Sequence, residues 1–361
     1  MAYISSVQSA YPKVTLTQEK AKTFVRKIFS HEERKVNRLL PVFDNAKVET
    51  RQIVKRIDWY EKEQSFSSRN DVYLESAVDL CQKAIDKCLN DEKLKKKIPP
   101  EAIDLIVFVS STGLATPSID AHLINQCQLR EDIIRLPLWG LGCAGGAIAL
   151  SRGADWIKQN PTKTALIVTV ELCSLTFQQS DTTTSNIVGT ALFGDGVAAA
   201  LLIGEASPYV DYLANNLLKI EKSSSFLQKN TLDIMGWDVT NHGFEVVFSK
   251  RIPRLVKTIW KKHLANFLSN SEYEIEALDQ LIAHPGGRKV LEEMEEVISD
   301  KSLLHYSYET LRQHGNVSSA TVLYVLEKYL LEKQRSKEKV LLTALGPGFC
   351  SELVSMRWVE R

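Results

Sequence analysis

The sequence has no apolar run of the roughly 18–20 residues that a bilayer-spanning helix needs, so no membrane-spanning helix is expected. It has almost no net charge: 45 Lys and Arg against 44 Asp and Glu leave +1 at neutral pH. Nothing global therefore draws the chain to nucleic acid or to a membrane surface. The six cysteines, Cys81, Cys88, Cys127, Cys143, Cys173 and Cys350, form no CxxC pair, and a disulfide framework would be unusual in a cytosolic chain of this size. Metal-ligand spacing is absent, as are a phosphate-cradling P-loop and a GxSxG elbow. The opening MAYISSVQSAYPKV has no basic region followed by an apolar stretch, so the expectation is a cytoplasmic protein without a secretory signal.

What is present is globular material. The 361 residues are 44% hydrophobic and 25% charged, enough for one large core or two joined ones. Residues 17–40 and 71–96 carry apolar positions at helical spacing. The second stretch ends in the basic run Lys93–Lys97, read as a solvated helix end, and Pro99 and Pro100 stop it. Ile103–Thr112, Lys163–Leu172 and Val197–Gly204 are short, continuous apolar runs that read as buried strands. Arg135–Leu141 leads into GCAGGAIALSRGADWIK, a Gly-rich turn entering a helix. Strands alternating with helices predict a layered α/β fold.

The second half repeats this order. Ala277–Gly287 resembles Ala102–Thr112, Gly315–Leu330 resembles Gly142–Ile157, and Glu338–Leu353 resembles Thr162–Leu175. The offsets are about 175, 173 and 176 residues. Three segments in one order at nearly one offset imply an internally duplicated βαβ unit, with halves 1–205 and 206–361. The period is far too long for a solenoid.

The duplication makes Cys143 and Asn316 equivalent. Each follows a glycine and opens a helix, so two helix N-termini can converge on one site. A thiol so placed is expected to have its pKa lowered from about 8.5 toward about 3.5–7.5. The bland alternative for any cysteine here is a small buried hydrophobe. Among seven histidines, His284 stands out: it ends the apolar run LIA and precedes Pro-Gly-Gly, a strand end meeting a tight turn. Gly286 and Gly287, in that turn, count with the substrate-binding positions. His314, two residues before Asn316, is the rival. Cys, His and Asn together suit acyl transfer through a thioester, with His284 and Asn316 donating to the enolate formed when a malonyl group loses carbon dioxide.

At these residues the sequence resembles the chalcone and stilbene synthase-like type III polyketide synthases, in a bacterial-type form. The likeness rests on GCAGG (142–146), ALFGDG (191–196), AHPGG (283–287), GNVSSA (315–320) and GPGF (346–349), five motifs in order across nearly the whole chain. It implies a thiolase-like fold with layers αβαβα, in which the N-terminal half carries the cysteine and the C-terminal half the histidine and asparagine. It also implies a homodimer that takes an acyl-CoA starter and malonyl-CoA, with no cofactor. By the same resemblance Cys143 is the acyl-accepting nucleophile, His284 and Asn316 the decarboxylation pair, and Phe193 the gate between CoA tunnel and cavity. Alone, Phe193 would read as a core aromatic.

Some positions depart from the plant pattern. Val246 stands where a second gating Phe falls, which implies a wider cavity. Thr116 stands where a Met reaches into the partner's cavity. Cys173 and Ser318 line the same space, and Trp237 stands near a position that is small in plant enzymes. Arg38 fits one CoA-contacting cation, while Pro41 and Asn45 replace others. MGWDV and GFEVVFS resemble bacterial members, several of which make alkylpyrones or alkylresorcinols, so a fatty acyl starter is expected. The alternatives are a β-ketoacyl synthase III, which takes malonyl from a carrier protein; an HMG-CoA synthase, for which Glu171 is the one candidate base; an inactive scaffold; and a thioesterase-like hydrolase.

Overall fold

The computed structural model describes residues 1–269, 274–298, 300–332 and 337–360. Nine strands form its main sheet: β1 (Ala2–Ala10), β2 (Leu105–Ser110), β3 (Ile134–Trp139), β4 (Thr164–Leu172), β5 (Asp195–Gly204), β6 (Asn216–Leu227), β7 (Gln280–Ala283), β8 (Lys339–Gly346) and β9 (Cys350–Glu360). The helices that matter here are α1 (Gln18–Ile28), α2 (Phe66–Leu89), α3 (Ile119–Gln126), α4 (Gly145–Gln159), α5 (Thr184–Leu192), α6 (Lys261–Ser269), α7 (Arg288–Ile298), α8 (His305–His314) and α9 (Thr321–Leu331). Every residue of β2, β4 and β5 is buried. This is why their sequences run apolar without alternation: both faces are covered.

Strand order across the sheet is β7-β8-β9-β6-β1-β5-β4-β2-β3. From the middle outward the two sides follow one pattern. β1 pairs antiparallel with β5, β5 antiparallel with β4, and β4 parallel with β2. On the other side β6 pairs antiparallel with β9, β9 antiparallel with β8, and β8 parallel with β7. The short antiparallel ladder Ala2↔Ile220, Tyr3↔Lys219, Ile4↔Leu218 joins the sides. Only β3, parallel to β2 at one edge, has no counterpart in the sheet.

The layers follow from which face each core covers. α4 and α9 lie between the half-sheets, where Ala147, Leu150, Val322 and Leu326 meet Val107, Ile167, Ile282 and Leu342. Outside one half, α2 and α3 cover Ile106, Phe108, Leu166 and Val168. Outside the other, α6, α7 and α8 cover Leu281, Leu341 and Leu353. This is the expected αβαβα stacking. A fourth cluster joins α1 to Ile187 and Ala191 of α5.

The first helical stretch is broken, with α1 followed by a turn and a short helix, Glu33–Leu39. The second starts earlier and ends earlier than its pattern predicts. Ser65 caps α2 by accepting from Ser68 N, and the helix stops at Leu89. Lys93–Lys97 is therefore not a helix end. Leu94 and Ile98 are buried and Ile98 N donates to Leu89 O at 3.0 Å, so the run is a turn folded back on the core. Lys96 sits 5.3 Å over the ring of Tyr212.

α4 and α9 begin almost in contact. A Cβ on Gly146 would lie 2.2 Å from the Ser319 carbonyl oxygen, and one on Gly145 3.1 Å from Ser319 Cβ. Backbone cannot move aside as a flexible side chain can. Gly146→Ala is expected to destabilise the fold by about 1–3 kcal/mol, read as a lower urea midpoint with an unchanged slope.

Candidate active site

Cys143 and Asn316 are placed by matching turns. Cys143 lies in the 3₁₀ turn Gly142–Ala144 that feeds α4, and Asn316 lies just before the 3₁₀ turn Ser318–Ala320 that feeds α9. Each turn is entered through a glycine in left-handed conformation, Gly142 at φ +48 and Gly315 at φ +66. At Gly315 a Cβ would also strike Leu192 O at 2.4 Å.

The two side chains meet. Cys143 Sγ is 3.9 Å from both Oδ1 and Nδ2 of Asn316. The carboxamide has one sensible orientation: Oδ1 accepts from Ser318 N at 2.8 Å, which leaves the Nδ2 hydrogens for Gly286 O at 3.3 Å and for Sγ. Ser318, at φ +46 without being glycine, is strained backbone of the kind found at functional sites, and its side chain also bonds Cys143.

His284 extends β7 by one residue, its N donating to Thr343 O at 2.9 Å. Its side chain is 2% exposed, and neither ring nitrogen has a hydrogen-bond partner. Burial depresses the imidazole to about 3, so the ring is neutral, with one N–H and one lone pair unused. The turn brings Gly286 beside it: Gly286 N donates to His284 O at 3.0 Å, and a Cβ there would lie 3.7 Å from Nε2. Since Gly286 O accepts from Asn316, His284 and Asn316 share one backbone turn. The rival His314 is occupied, with Nδ1 2.8 Å from Gln52 Oε1 and its ring packed on Tyr11 and Tyr324.

The expected lowering of the thiol pKa is not what the structure has. Burial pushes Cys143 up to about 11, with Glu171 adding to the rise and bonds from Ser318 and Asn316 opposing it. Cys143 is nonetheless half-buried rather than sealed. Loss of water around the sulfur is the largest cause of the rise.

Phe193 is bound to this centre through its backbone. It bridges to Asn316, with Asn316 N donating to Leu192 O at 2.8 Å and Gly194 N to Asn316 O at 3.0 Å. Its ring lies 5.9 Å from Trp237 and 5.6 Å from Phe248, on the hairpin Met235–Thr240/Gly243–Phe248, where Val246 pairs with Trp237. Phe193, Val246 and Cys173 wall one cavity of about 50 Å³ that opens to solvent. Burial pushes the Cys173 thiol well up. Gly287 follows Gly286 into α7. Thr116 is not brought to the cavity: it is exposed on the loop after β2. Arg38 is exposed on its short helix.

Glu171 is closed as a base. Its carboxyl accepts from Ser111 N (3.0 Å), Ser111 Oγ (3.0 Å), Thr112 Oγ1 (2.9 Å) and Ser319 Oγ (2.6 Å). It ties the end of β4 to the entrance of α9. Two groups escaped the sequence reading. Asp195, in the ALFGDG motif, accepts from Val54 N (2.8 Å) and from Ser174 N (2.7 Å), Ser174 itself lining the cavity. Arg51 is a buried cation in the strand Thr50–Ile53; an arginine inside that short β-type segment was the available signal. Among the described residues no group of three His, Cys, Asp or Glu could hold a metal ion, and no helix is long and apolar enough to cross a membrane.

Paired half-sheets, two inner helices and facing Cys and Asn at their entrances define a thiolase-like condensing-enzyme fold. The chain belongs to the chalcone and stilbene synthase family, the type III polyketide synthases: the family's N-terminal domain model matches residues 1–208 and its C-terminal domain model residues 220–360. It is 42% identical over 361 residues to a candidate chalcone synthase of Bacillus subtilis (strain 168), covering 99% of both chains. It is 35% identical over 316 residues to a 1,3,6,8-tetrahydroxynaphthalene synthase of Streptomyces peucetius subsp. caesius, covering 87% of this chain and 82% of that one. The crystal structure of the Streptomyces coelicolor A3(2) tetrahydroxynaphthalene synthase, a bacterial type III polyketide synthase, matches with a TM-score of 0.92 at 28% identity, covering 99% and 100%.

A buried neutral imidazole makes stability depend on pH. The unfolded chain protonates His284 as pH falls below about 6.5, whereas the folded chain resists until about 3. Its contribution is therefore complete above 6.5 and is lost as pH falls through that window. In urea titrations from pH 7 to 4, His284→Gln is expected to lose less stability than the wild type over the same interval.

Proposed function

We propose that the chain performs iterative decarboxylative condensation of malonyl-CoA onto an acyl group held on Cys143. The observation that carries this reading is the buried, partnerless His284 ring, set by a shared turn beside an Asn316 Nδ2 whose contact with Cys143 Sγ is only a long 3.9 Å one. A buried donor without an acceptor is costly, and an incoming thioester oxygen would satisfy the imidazole N–H and replace the weak sulfur contact of Asn316. Sγ attacks the starter thioester, CoA leaves as its thiol, and the orphan imidazole lone pair is the local acceptor for the sulfur's proton. Malonyl-CoA then loses carbon dioxide, and His284 and Asn316 stabilise the enolate oxygen. The enolate carbon forms the new bond to the acyl carbonyl as the C–S bond to Cys143 breaks. Return of the β-ketoacyl chain from CoA to Cys143 allows another round.

In this reading Phe193 gates the cavity, while Cys173, Val246, Ser318, Gly286 and Gly287 shape it. Leu16, Phe24, Ile53 and Ile57 on the same wall suit an aliphatic tail, which supports a fatty acyl starter. A cytoplasmic setting fits the six free thiols.

With malonyl-CoA, a panel of acyl-CoA starters and no carrier protein, pyrone or resorcinol products are expected by mass spectrometry, absent in Cys143→Ala. Asn316→Leu is expected to lower malonyl decarboxylation by about 10²–10³-fold. Dependence on a carrier protein would point instead to a synthase III, release of free acid to a hydrolase, and no Cys143-dependent product to a scaffold. A fatty acyl starter is overturned if only aromatic starters turn over.

The homodimer is proposed through the β3 edge. Ile134, Leu136 and Trp139 there are 50%, 37% and 51% exposed, beside Leu114 at 44%. An unpaired apolar edge is a template for association, and a second copy would cover the exposed Thr116 loop. Sedimentation of the wild type is expected at twice the 40.7 kDa chain mass, and that of Ile134→Asp/Leu136→Asp at the single-chain mass.

A further inference from the structure

Arg51 is the feature that the reaction so far leaves unused. It is 1% exposed and lines the same cavity as Phe193, Cys173 and Val246. Nη1 donates to Thr190 O, but Nε and Nη2, both buried, have no partner, and no salt bridge to Arg51 occurs among the described residues. Burial lowers its pKa only to about 9, so it stays a cation at neutral pH. A buried charge without a counter-ion is strongly destabilising.

The other polar groups on that wall are committed. Tyr60 OH and Ser174 Oγ pair at 2.6 Å, and Ser174 Oγ also contacts Asp195 at 2.5 Å. Thr176 Oγ1 donates to Cys173 O, Thr190 Oγ1 to Asn186 O, and the Asn186 amide to Gln178 O. Against an otherwise apolar lining, the free Nε/Nη2 edge is a planar fork whose two donors match two oxygens in one plane.

We propose that Arg51 docks the planar oxygen pair of a 1,3-dicarbonyl group on the growing chain, in its enol form, and so favours extension beyond the first condensation. This rests on the condensation proposed above, and it adds a positioning role for a residue that does not touch the reacting sulfur. Each round introduces a ketone oxygen into a cavity where, among the described lining residues, the Arg51 edge is the strongest unpaired donor. The aliphatic tail of the starter would lie on the apolar wall, with the β-dicarbonyl part turned to Arg51.

The test uses the full-length wild type with Arg51→Gln and Arg51→Lys, saturated acyl-CoA as starter and malonyl-CoA as extender. Intact-protein mass gives acyl loading on Cys143, and product mass gives the number of extensions. Arg51→Gln is expected to lower products beyond the diketide by about tenfold relative to its own loaded enzyme, and Arg51→Lys, which keeps the charge without the fork, by less. An unchanged product distribution, or a fall in loading that fully accounts for the missing products, overturns the proposal. A measurement on the wild type alone covers the case in which the variants do not fold. There kcat/KM for a 3-oxoacyl-CoA starter is expected to exceed that for the saturated acyl-CoA of equal length, and equality overturns the proposal. A preference for an ω-carboxyacyl-CoA with none for the 3-oxoacyl-CoA also overturns it, making the ligand a carboxylate of the starter. If the wild type makes no Cys143-dependent product from any starter, the condensation reading itself has failed.

Discussion

The approach of α4 to α9 at Gly146 and Ser319 is the constraint on which the rest depends. Because the Ser319 carbonyl occupies the space a Cβ would need, the two helix entrances are held at backbone contact. Glu171 reinforces this from the sheet by accepting from Ser319 on one half and from Ser111 and Thr112 on the other. Cys143 and Asn316 precede those entrances, so their meeting at 3.9 Å follows from backbone packing rather than from attraction between a thiol and an amide. A weak contact is thereby positioned by strong ones, which is how a reactive pair can stay apart in bonding yet fixed in place.

The same economy holds for His284. Its direction is set by the parallel β7–β8 ladder, which continues through His284 N to Thr343 O, and by the turn that returns Gly286 O to the Asn316 amide. Neither ring nitrogen is needed to hold the ring. That leaves the imidazole free to meet a ligand, at the expense of a buried unsatisfied group in the empty protein. Phe193 is tied to that centre by two backbone bonds around Asn316, so a shift of the Phe193 backbone and a shift of the carboxamide would be mechanically coupled.

Much of this was legible in the sequence because it is written in backbone constraints. Gly142 and Gly315 mark left-handed turns, apolar runs mark two-sided burial, and the offset near 175 marks the duplication that returns as matching strand pairings on both sides of the sheet. Cys143, His284 and Asn316 stand at the ends of such signals. The electrostatics were not legible. A helix entrance suggested an acidic thiol, but the amount of water removed from Cys143 depends on tertiary packing, such as Pro347 against Gly142, which no local pattern states. Thr116 and Val246 were assigned by alignment alone. The structure places Val246 on the cavity wall, paired with Trp237, and leaves Thr116 exposed and away from that cavity. Arg51 escaped because its short strand carries no motif, and its meaning lies in what it fails to pair with.

Unsatisfied polar groups are rare in folded proteins and each calls for a reason. Here His284 and Arg51 each keep two nitrogens without partners in the interior, one beside the Asn316 turn and one in the adjoining cavity. A chain selected for stability alone would replace both by apolar side chains of similar volume, since a buried charge contributes less than good packing. Their presence therefore calls for a reason in a way that the presence of Leu166 or Val322 does not. The two orphan sites bracket Phe193, whose backbone is bound to Asn316 on one side and whose ring faces the cavity on the other. A substrate that supplied one oxygen to the imidazole and a pair of oxygens to the guanidinium would satisfy both at once. An acyl chain carrying a 1,3-dicarbonyl group is one that offers both a thioester oxygen and a planar oxygen pair.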